Sequence, residues 1–196
     1  MINKFKIPDD IYLNLLEDIK LAKNPSNRQI MATLLEEYTL EAHCKKYENF
    51  ILETIGQSNL VKNLNDINIL HPNSQPLILA NLWVNFQKRY EFQSPHNHGG
   101  ICSFILFMKI PYLIEDEQEK YGNPRKWNLS GHIQFLEIDP YEKGNIKKTN
   151  FPVDKTWEKT GLLFRSDLHH TVFPFCSTDE NRITISGNVY FGNENE

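Results

Sequence analysis

Apolar positions recur at helical spacing through the first third of the chain and at strand spacing after it. Over residues 9–23, Ile11, Leu15, Leu16 and Ile19 fall on one stripe. Asp9 and Asp10 stand at its start, where a helix N-terminus favours negative charge. Asn24-Pro25-Ser26-Asn27 breaks the pattern. Ile30, Met31, Leu34, Leu35 and Tyr38 predict a second amphipathic helix. Tyr47, Phe50, Ile51 and Ile55 predict a third over 42–55, with Gly56 as its stop.

After Asp66 the runs become short and rich in β-branched and aromatic residues between turn signals. Strands are expected over 67–70, 77–86, 91–98, 101–110, 131–137, 161–164, 169–173 and 182–191. Between them, 112–128 is polar, with Glu115-Asp116-Glu117 and Gly122-Asn123-Pro124. It reads as a mobile surface excursion and a candidate lid. Residues 140–150, bearing lysine and glycine, read as a loop. Helices first and strands afterwards, without alternation, predict an α+β, mainly β architecture. The length of 196 residues suits one domain over 1–196, with a helical N-terminal layer (1–65) and a β core (66–196).

Composition narrows the function classes. A hydrophobic fraction of 40% supplies a core, and a net charge of −4 gives no basic footprint for nucleic acid. Cys44, Cys102 and Cys176 are scattered and form neither a CxxC pair nor a disulfide framework, which fits a reducing cytoplasm. No apolar run approaches the ~20 residues of a membrane helix, and the N-terminus leads into no apolar targeting core.

The chemistry concentrates in a few residues. His96 and His98 flank Asn97, and residues i and i+2 of a strand share a face, so both imidazoles can grip one metal ion. Gly99-Gly100 follows and permits a tight turn or a close backbone approach. His169 and His170 lie in another strand-like run on opposite faces, so only one can join that pair, and periodicity does not choose. Three imidazoles serve zinc, iron, copper or nickel equally. In Arg182-Ile183-Thr184-Ile185-Ser186, Arg182, Thr184 and Ser186 share one face. If that face looks into a barrel, Arg182 is a buried guanidinium that needs an anion, and its planar fork suits a carboxylate. His43 reads as solvated, His71 as a turn residue, and His132 as a strand histidine with ordinary partners.

In these residues the chain resembles the 2-oxoglutarate- and Fe(II)-dependent oxygenases, in particular small, prolyl-hydroxylase-like members found in bacteria and bacteriophages. The matching pieces run from about Leu77 to Tyr190 in family order. They are Leu82-Trp83-Val84-Asn85, His96-Asn97-His98 with the strand 103–111, Gly131-His132-Ile133-Gln134-Phe135, Gly161-Leu162-Leu163-Phe164, His170-Thr171-Val172-Phe173-Pro174, and Arg182 to Asn188. The resemblance implies a double-stranded β-helix (a jelly-roll, cupin-like barrel) with a helical layer on one sheet. It implies His96, His98 and His170 as metal ligands, since the family's distal histidine precedes x-Val-x-Pro. It implies Arg182 and Thr184 as the grip on the far carboxylate of 2-oxoglutarate. The departure is His98, which stands where most of the superfamily has aspartate or glutamate.

The implied cofactors are Fe(II) and 2-oxoglutarate, with ascorbate as a supporting reductant and dioxygen as co-substrate. The implied reaction is hydroxylation of an unassigned substrate, in the cytoplasm or, for a viral protein, the host cytoplasm. Three alternatives stand beside it. A zinc-dependent hydrolase can use the same ligand spacing, though its TIM-barrel form needs ~250 residues with alternating strands and helices. A non-catalytic cupin-like metal-binding or phage structural protein would keep the barrel and lose turnover. An HNH nuclease, which the letters of 96–98 spell, spreads its residues over a hairpin and helix and suits an acidic chain poorly.

Overall fold

The computed structural model describes residues 2–25, 36–60, 76–121, 128–138 and 144–192. Among these residues, ten strands form two antiparallel sheets: β1 (Ile2–Lys6), β2 (Glu36–Thr39), β3 (Leu77–Gln87), β4 (Gln93–His96), β5 (Cys102–Lys109), β6 (His132–Ile138), β7 (Ile146–Pro152), β8 (Thr160–Arg165), β9 (His169–Val172) and β10 (Arg182–Phe191). The larger sheet has the order β1-β8-β5-β10-β3-β2, and the smaller has the order β4-β9-β6-β7. Two facing antiparallel sheets with this β content constitute the double-stranded β-helix that the resemblance implies.

Helix α1 (Asp9–Leu21) carries Asp9 and Asp10 in its first turn and Lys20 in its last, as the helix dipole prefers. Its Tyr12, Leu15 and Ile19 join Tyr47, Ile51 and Ile55 of α2 (Cys44–Gln57) in one apolar cluster. That cluster also holds Leu82 and Val84 of β3, Phe104, Leu106 and Met108 of β5, and Ile185 and Val189 of β10. The helices therefore cover one face of the larger sheet. The alternate residues Ile105 and Phe107 of β5 and Leu162 and Phe164 of β8 point the other way. There they meet Ile133, Phe135 and Val172 of the smaller sheet. β5 reads as a continuous apolar run because both of its faces are buried.

Four expectations from the sequence change. The apolar spacing around Tyr38 predicts a helix, yet residues 36–39 pair with β3 as strand β2, with Tyr38 edge-on to Phe86 at 5.8 Å. A cross-strand aromatic contact outweighs weak helical periodicity at a sheet edge. Residues 146–152 form β7 rather than loop, paired with β6 from Ile138↔Ile146 to His132↔Pro152. The 112–128 excursion contains a helix, α3 (Ile114–Tyr121), whose Glu117 is buried, so its described part is packed helical structure where a polar surface segment was expected. The N-terminal third includes β1, a strand whose partner is β8 and which its five residues do not announce. The 67–70 strand, residues 30–35 of the second predicted helix and His71 lie outside the described residues.

Candidate functional site

β4 and β9 pair so that His96 stands directly opposite His170. His98 lies two residues past His96, and its backbone N–H donates to Ser166 O at 2.8 Å, which fixes the turn. The ring centroids are 4.4 Å apart for His96 and His170, and 5.1 Å for each of the other two pairs. One donor atom from each of the three lies within 4.8 Å of the others. His96 Nδ1 sits 2.7 Å from Ser94 O, and His170 Nδ1 sits 3.2 Å from Leu168 O. A carbonyl there holds the proton on Nδ1 and leaves the lone pair on Nε2, the usual state of a metal-binding imidazole. The donor set thus fits one divalent ion. Among the described residues it contains no carboxylate.

His169 and His170 resolve as strand alternation requires. His170 is buried with the pair and His169 is exposed on the opposite face. His132 is buried on β6 with Nδ1 at 2.9 Å from Ser130 O, apart from the cluster. His43 lies 3.4 Å from Asp18 on the helical side.

The three imidazoles line a cavity with Trp83, Asn85, Gln87, Arg182, Thr184 and Ser186, closed by the apolar side chains Ile105, Ile133 and Val172. Strand register builds this wall. β3 and β10 pair Gln87 with Arg182, Asn85 with Thr184 and Trp83 with Ser186. These three rungs alternate with Phe86, Val84 and Leu82, of which Val84 and Leu82 are buried in the helix-side cluster. The Trp83 ring lies 5.7 Å from that of His98, so the ladder runs from the imidazoles to Arg182.

Arg182 is 2% exposed. Its Nε donates to Gln87 Oε1 at 2.9 Å, Nη2 donates to the same oxygen, and Nη1 donates to Tyr112 Oη at 2.8 Å and to Gly131 O at 3.5 Å. Every one of these partners is neutral. Gln87 Nε2 is in turn held by Glu91 O at 2.5 Å, and Tyr112 stacks on Phe175 at 4.9 Å. Burial pushes the Tyr112 phenol up from its ordinary range, against the pull of Arg182, so it stays a neutral hydroxyl. Among the described residues Arg182 has no carboxylate partner, and a buried cation without one leaves most of its desolvation cost uncompensated, so an anionic ligand would relieve it. Asn85 closes the Leu82–Asn85 piece of the family resemblance without having been singled out. Gln87 had only its two-residue spacing along β3 as a signal, and Tyr112 none.

A family model described as "Putative 2OG-Fe(II) oxygenase" matches residues 81–188, from the β3 wall through both histidine strands and most of β10. The chain belongs to this family. As an oxygenase of that family it is an enzyme that uses Fe(II), 2-oxoglutarate and dioxygen, with a substrate still to be assigned. Solved structures share the fold at low identity. A Pseudomonas putida prolyl-4-hydroxylase matches with a TM-score of 0.58 and 12% identity, over 97% of this chain and 92% of that one. The 2-oxoglutarate-dependent epimerase SnoN from nogalamycin biosynthesis gives 0.51 and 13%, over 97% and 76%. OsALKBH1 gives 0.50 and 12%, over 95% and 97%. No curated protein sequence matches the chain.

Proposed function

We propose that His96, His98 and His170 hold the Fe(II) of this oxygenase, and that Arg182 with Thr184 beside it takes the 2-oxoglutarate carboxylate remote from the metal. One observation carries the reading. A buried guanidinium with only neutral hydrogen-bond partners shares a cavity with three converging imidazoles. A dicarboxylate that chelates a metal at one end and neutralises Arg182 at the other answers both.

Fe(II) held by His96, His98 and His170, with 2-oxoglutarate on Arg182, would supply oxidative chemistry with dioxygen in which the cosubstrate would end as succinate and CO₂ and one oxygen atom would enter a substrate C–H bond. The chain's own residues do the positioning. The Ser94 and Leu168 carbonyls orient His96 and His170. Gln87 and Tyr112 hold the Arg182 fork in one plane, so that little conformational freedom is lost when a carboxylate docks. Ile105, Ile133 and Val172 exclude water around the polar ladder. His98 makes the protein's ligand set neutral, one negative charge fewer than the two-histidine, one-carboxylate triad provides.

We also take residues 1–196 as one domain, a reading supported by the apolar cluster that joins α1 and α2 to the larger sheet. The three cysteines are free and buried, which supports a reducing compartment, and we place the protein in the cytoplasm. Among the described residues no helix is long and apolar enough to cross a membrane.

The test is cosubstrate binding to anaerobically prepared, Fe(II)-loaded protein by calorimetry. Arg182→Met should retain the metal and lose roughly 10- to 150-fold in 2-oxoglutarate affinity, the loss of a charge-assisted two-point contact worth about 1.5–3 kcal/mol. Unchanged affinity would place Arg182 outside the cosubstrate contact and overturn the assignment.

A further inference from the structure

One rung of the ladder lies beyond Trp83 and Ser186. There β3 and β10 pair Asn81 with Asn188, and β5 brings Ser103 opposite Asn188. Ser103 is 1% exposed, Asn188 is buried, and Ser166, just past the end of β8, is fully buried. Ser103 Oγ donates to Asn188 Oδ1 at 2.8 Å and lies 2.8 Å from Ser166 Oγ. A hydroxyl has one proton, so with that of Ser103 given to Asn188, the Ser166 hydroxyl is the donor to Ser103. Asn188 Nδ2 carries the chain on to Asn81 Oδ1 at 3.4 Å. The bonds run in one direction from the end of β8, over β5, to β10 and β3.

This chain lies under the turn that presents His98. β4 ends at His96, and His98 stands beyond it. The His98 N–H donates to Ser166 O at 2.8 Å, the Ser166 N–H to Ile101 O at 3.4 Å, and the Ile101 N–H to Val189 O at 2.8 Å. Residues 98–101 are thus tied to Ser166 and to the neighbour of Asn188. The fit is close. A Cβ on Gly99 would come within 2.6 Å of Tyr190 Oη, and one on Gly100, whose φ is +96°, within 2.6 Å of Val189 O. His96 and His170 are held differently, each by the carbonyl two residues before it, Ser94 O and Leu168 O. They sit on the smaller sheet, whereas the His98 turn takes its position from the larger one. Burying hydroxyls is costly where apolar side chains would pack, as Ile105 and Phe164 do one step along the same strands. A hydrogen-bonded network offsets that cost and selects one arrangement of the backbone around it.

We propose that Ser103 and Ser166, with Asn188 as their acceptor, are positioning residues for His98, whose imidazole they aim at the metal by fixing the turn. This rests on the three-histidine assignment above and deepens it.

The test is Co(II) binding under nitrogen, read both as affinity and as the visible absorption of the bound metal, which reports the number and arrangement of its ligands. The variants are Ser103→Ala, Ser166→Ala and His98→Ala, and each serine variant combined with His98→Ala. Ile51→Val, in the helix-side core, is the control for altered packing. Melting temperatures check that each variant folds. Ser103→Ala and Ser166→Ala should each weaken Co(II) binding roughly 10- to 100-fold. At saturating Co(II) their absorption should move from the wild-type spectrum towards that of His98→Ala. Ile51→Val should melt earlier and keep wild-type Co(II) affinity and absorption. Combined with His98→Ala, neither serine variant should cost anything further, as expected of residues that act through one ligand. Wild-type affinity and absorption in both serine variants would overturn the proposal. So would an equal loss with and without His98, which would make the network general scaffolding. If Ser103→Ala does not fold, Ser166→Ala, which keeps the carbonyl that His98 N–H binds, carries the same expectations. Wild-type Co(II) affinity in His98→Ala would instead remove His98 from the ligand set and overturn the metal assignment itself. A loss in His98→Ala with unaffected serine variants would leave that assignment standing and refute the positioning role alone.

Discussion

At the scale of single residues, two adjacent histidines test the site most sharply. His170 is buried beside the His96/His98 pair and His169 is exposed on the other face of the same strand. His170→Ala should therefore abolish most Fe(II) affinity, read by metal titration under nitrogen, while His169→Ala should match the wild type. The reverse pattern would mean that β9 is shifted by one residue, since a one-residue slip exchanges the faces. Much of this site was legible in the sequence. His96 and His98 follow from the two-residue period and the face shared by Arg182, Thr184 and Ser186 from the alternation of 182–186, while Thr184 itself was picked out by the likeness to a family. The choice of His170 came only from the likeness to a family, because periodicity is symmetric between neighbours. Gln87 and Tyr112 were out of reach for a different reason. Gln87 is 95 residues from Arg182 and Tyr112 is 70, and only strand register and the turn after β5 bring them to the guanidinium.

At the scale of elements, the same limit explains where the sequence misled. β2 and β7 are polar strands at sheet edges, with no apolar alternation to announce them, and each is defined by its partner. α3 is the most acidic stretch of the chain, and its Glu115 and Asp116 suggest solvent, yet Glu117 is fully buried. Its carboxylate accepts from Ser130, from the Cys176 N–H at 2.8 Å and thiol, and from the Ser177 N–H at 2.9 Å and hydroxyl. These bonds clamp the segment that carries Phe175, on which Tyr112 and then Arg182 rest. Burial alone would raise the Glu117 carboxyl, but the hydrogen bonds from Cys176, Ser130 and Ser177 outweigh it and hold it below the ordinary carboxylate range. A depressed folded value means stability that is present above the unfolded carboxyl's value and lost as pH falls through the folded one. Glu117→Gln should accordingly be less stable than the wild type at neutral pH, by about 1.5–3 kcal/mol for lost charge-assisted bonds. In urea unfolding followed from pH 7 downward, that gap should begin to close below about pH 4. A gap constant down to pH 2 would show that the carboxylate charge contributes nothing to the clamp.

At the scale of the whole molecule, the site is a seam between two sheets. β4 and β9 of the smaller sheet supply His96 and His170, and β10 of the larger supplies Arg182 and Thr184. A metal and a dicarboxylate bound there as proposed would bridge the sheets and bind only the folded chain, so they should raise its stability by mass action. At ~100 times the dissociation constant the gain is about 2.7 kcal/mol, or roughly 5–10 °C in melting temperature for a chain of this size. Turnover follows from the same arrangement and separates an active oxygenase from a barrel that only binds. Succinate should form from 2-oxoglutarate with Fe(II), ascorbate and oxygen, above a His170→Ala control, slowly without the substrate and faster when the right one is supplied. The rate without substrate should be low if His98 completes an all-imidazole donor set as proposed, since no carboxylate then offsets the metal's charge. His98→Asp places a carboxylate at the same strand position. It should keep the metal and change the rate, which would show that the ligand's charge tunes this enzyme. Stabilisation by metal and 2-oxoglutarate with no succinate above control, across peptides, nucleotides and cell extract, would instead make the barrel a binding protein that keeps the family's site without its turnover.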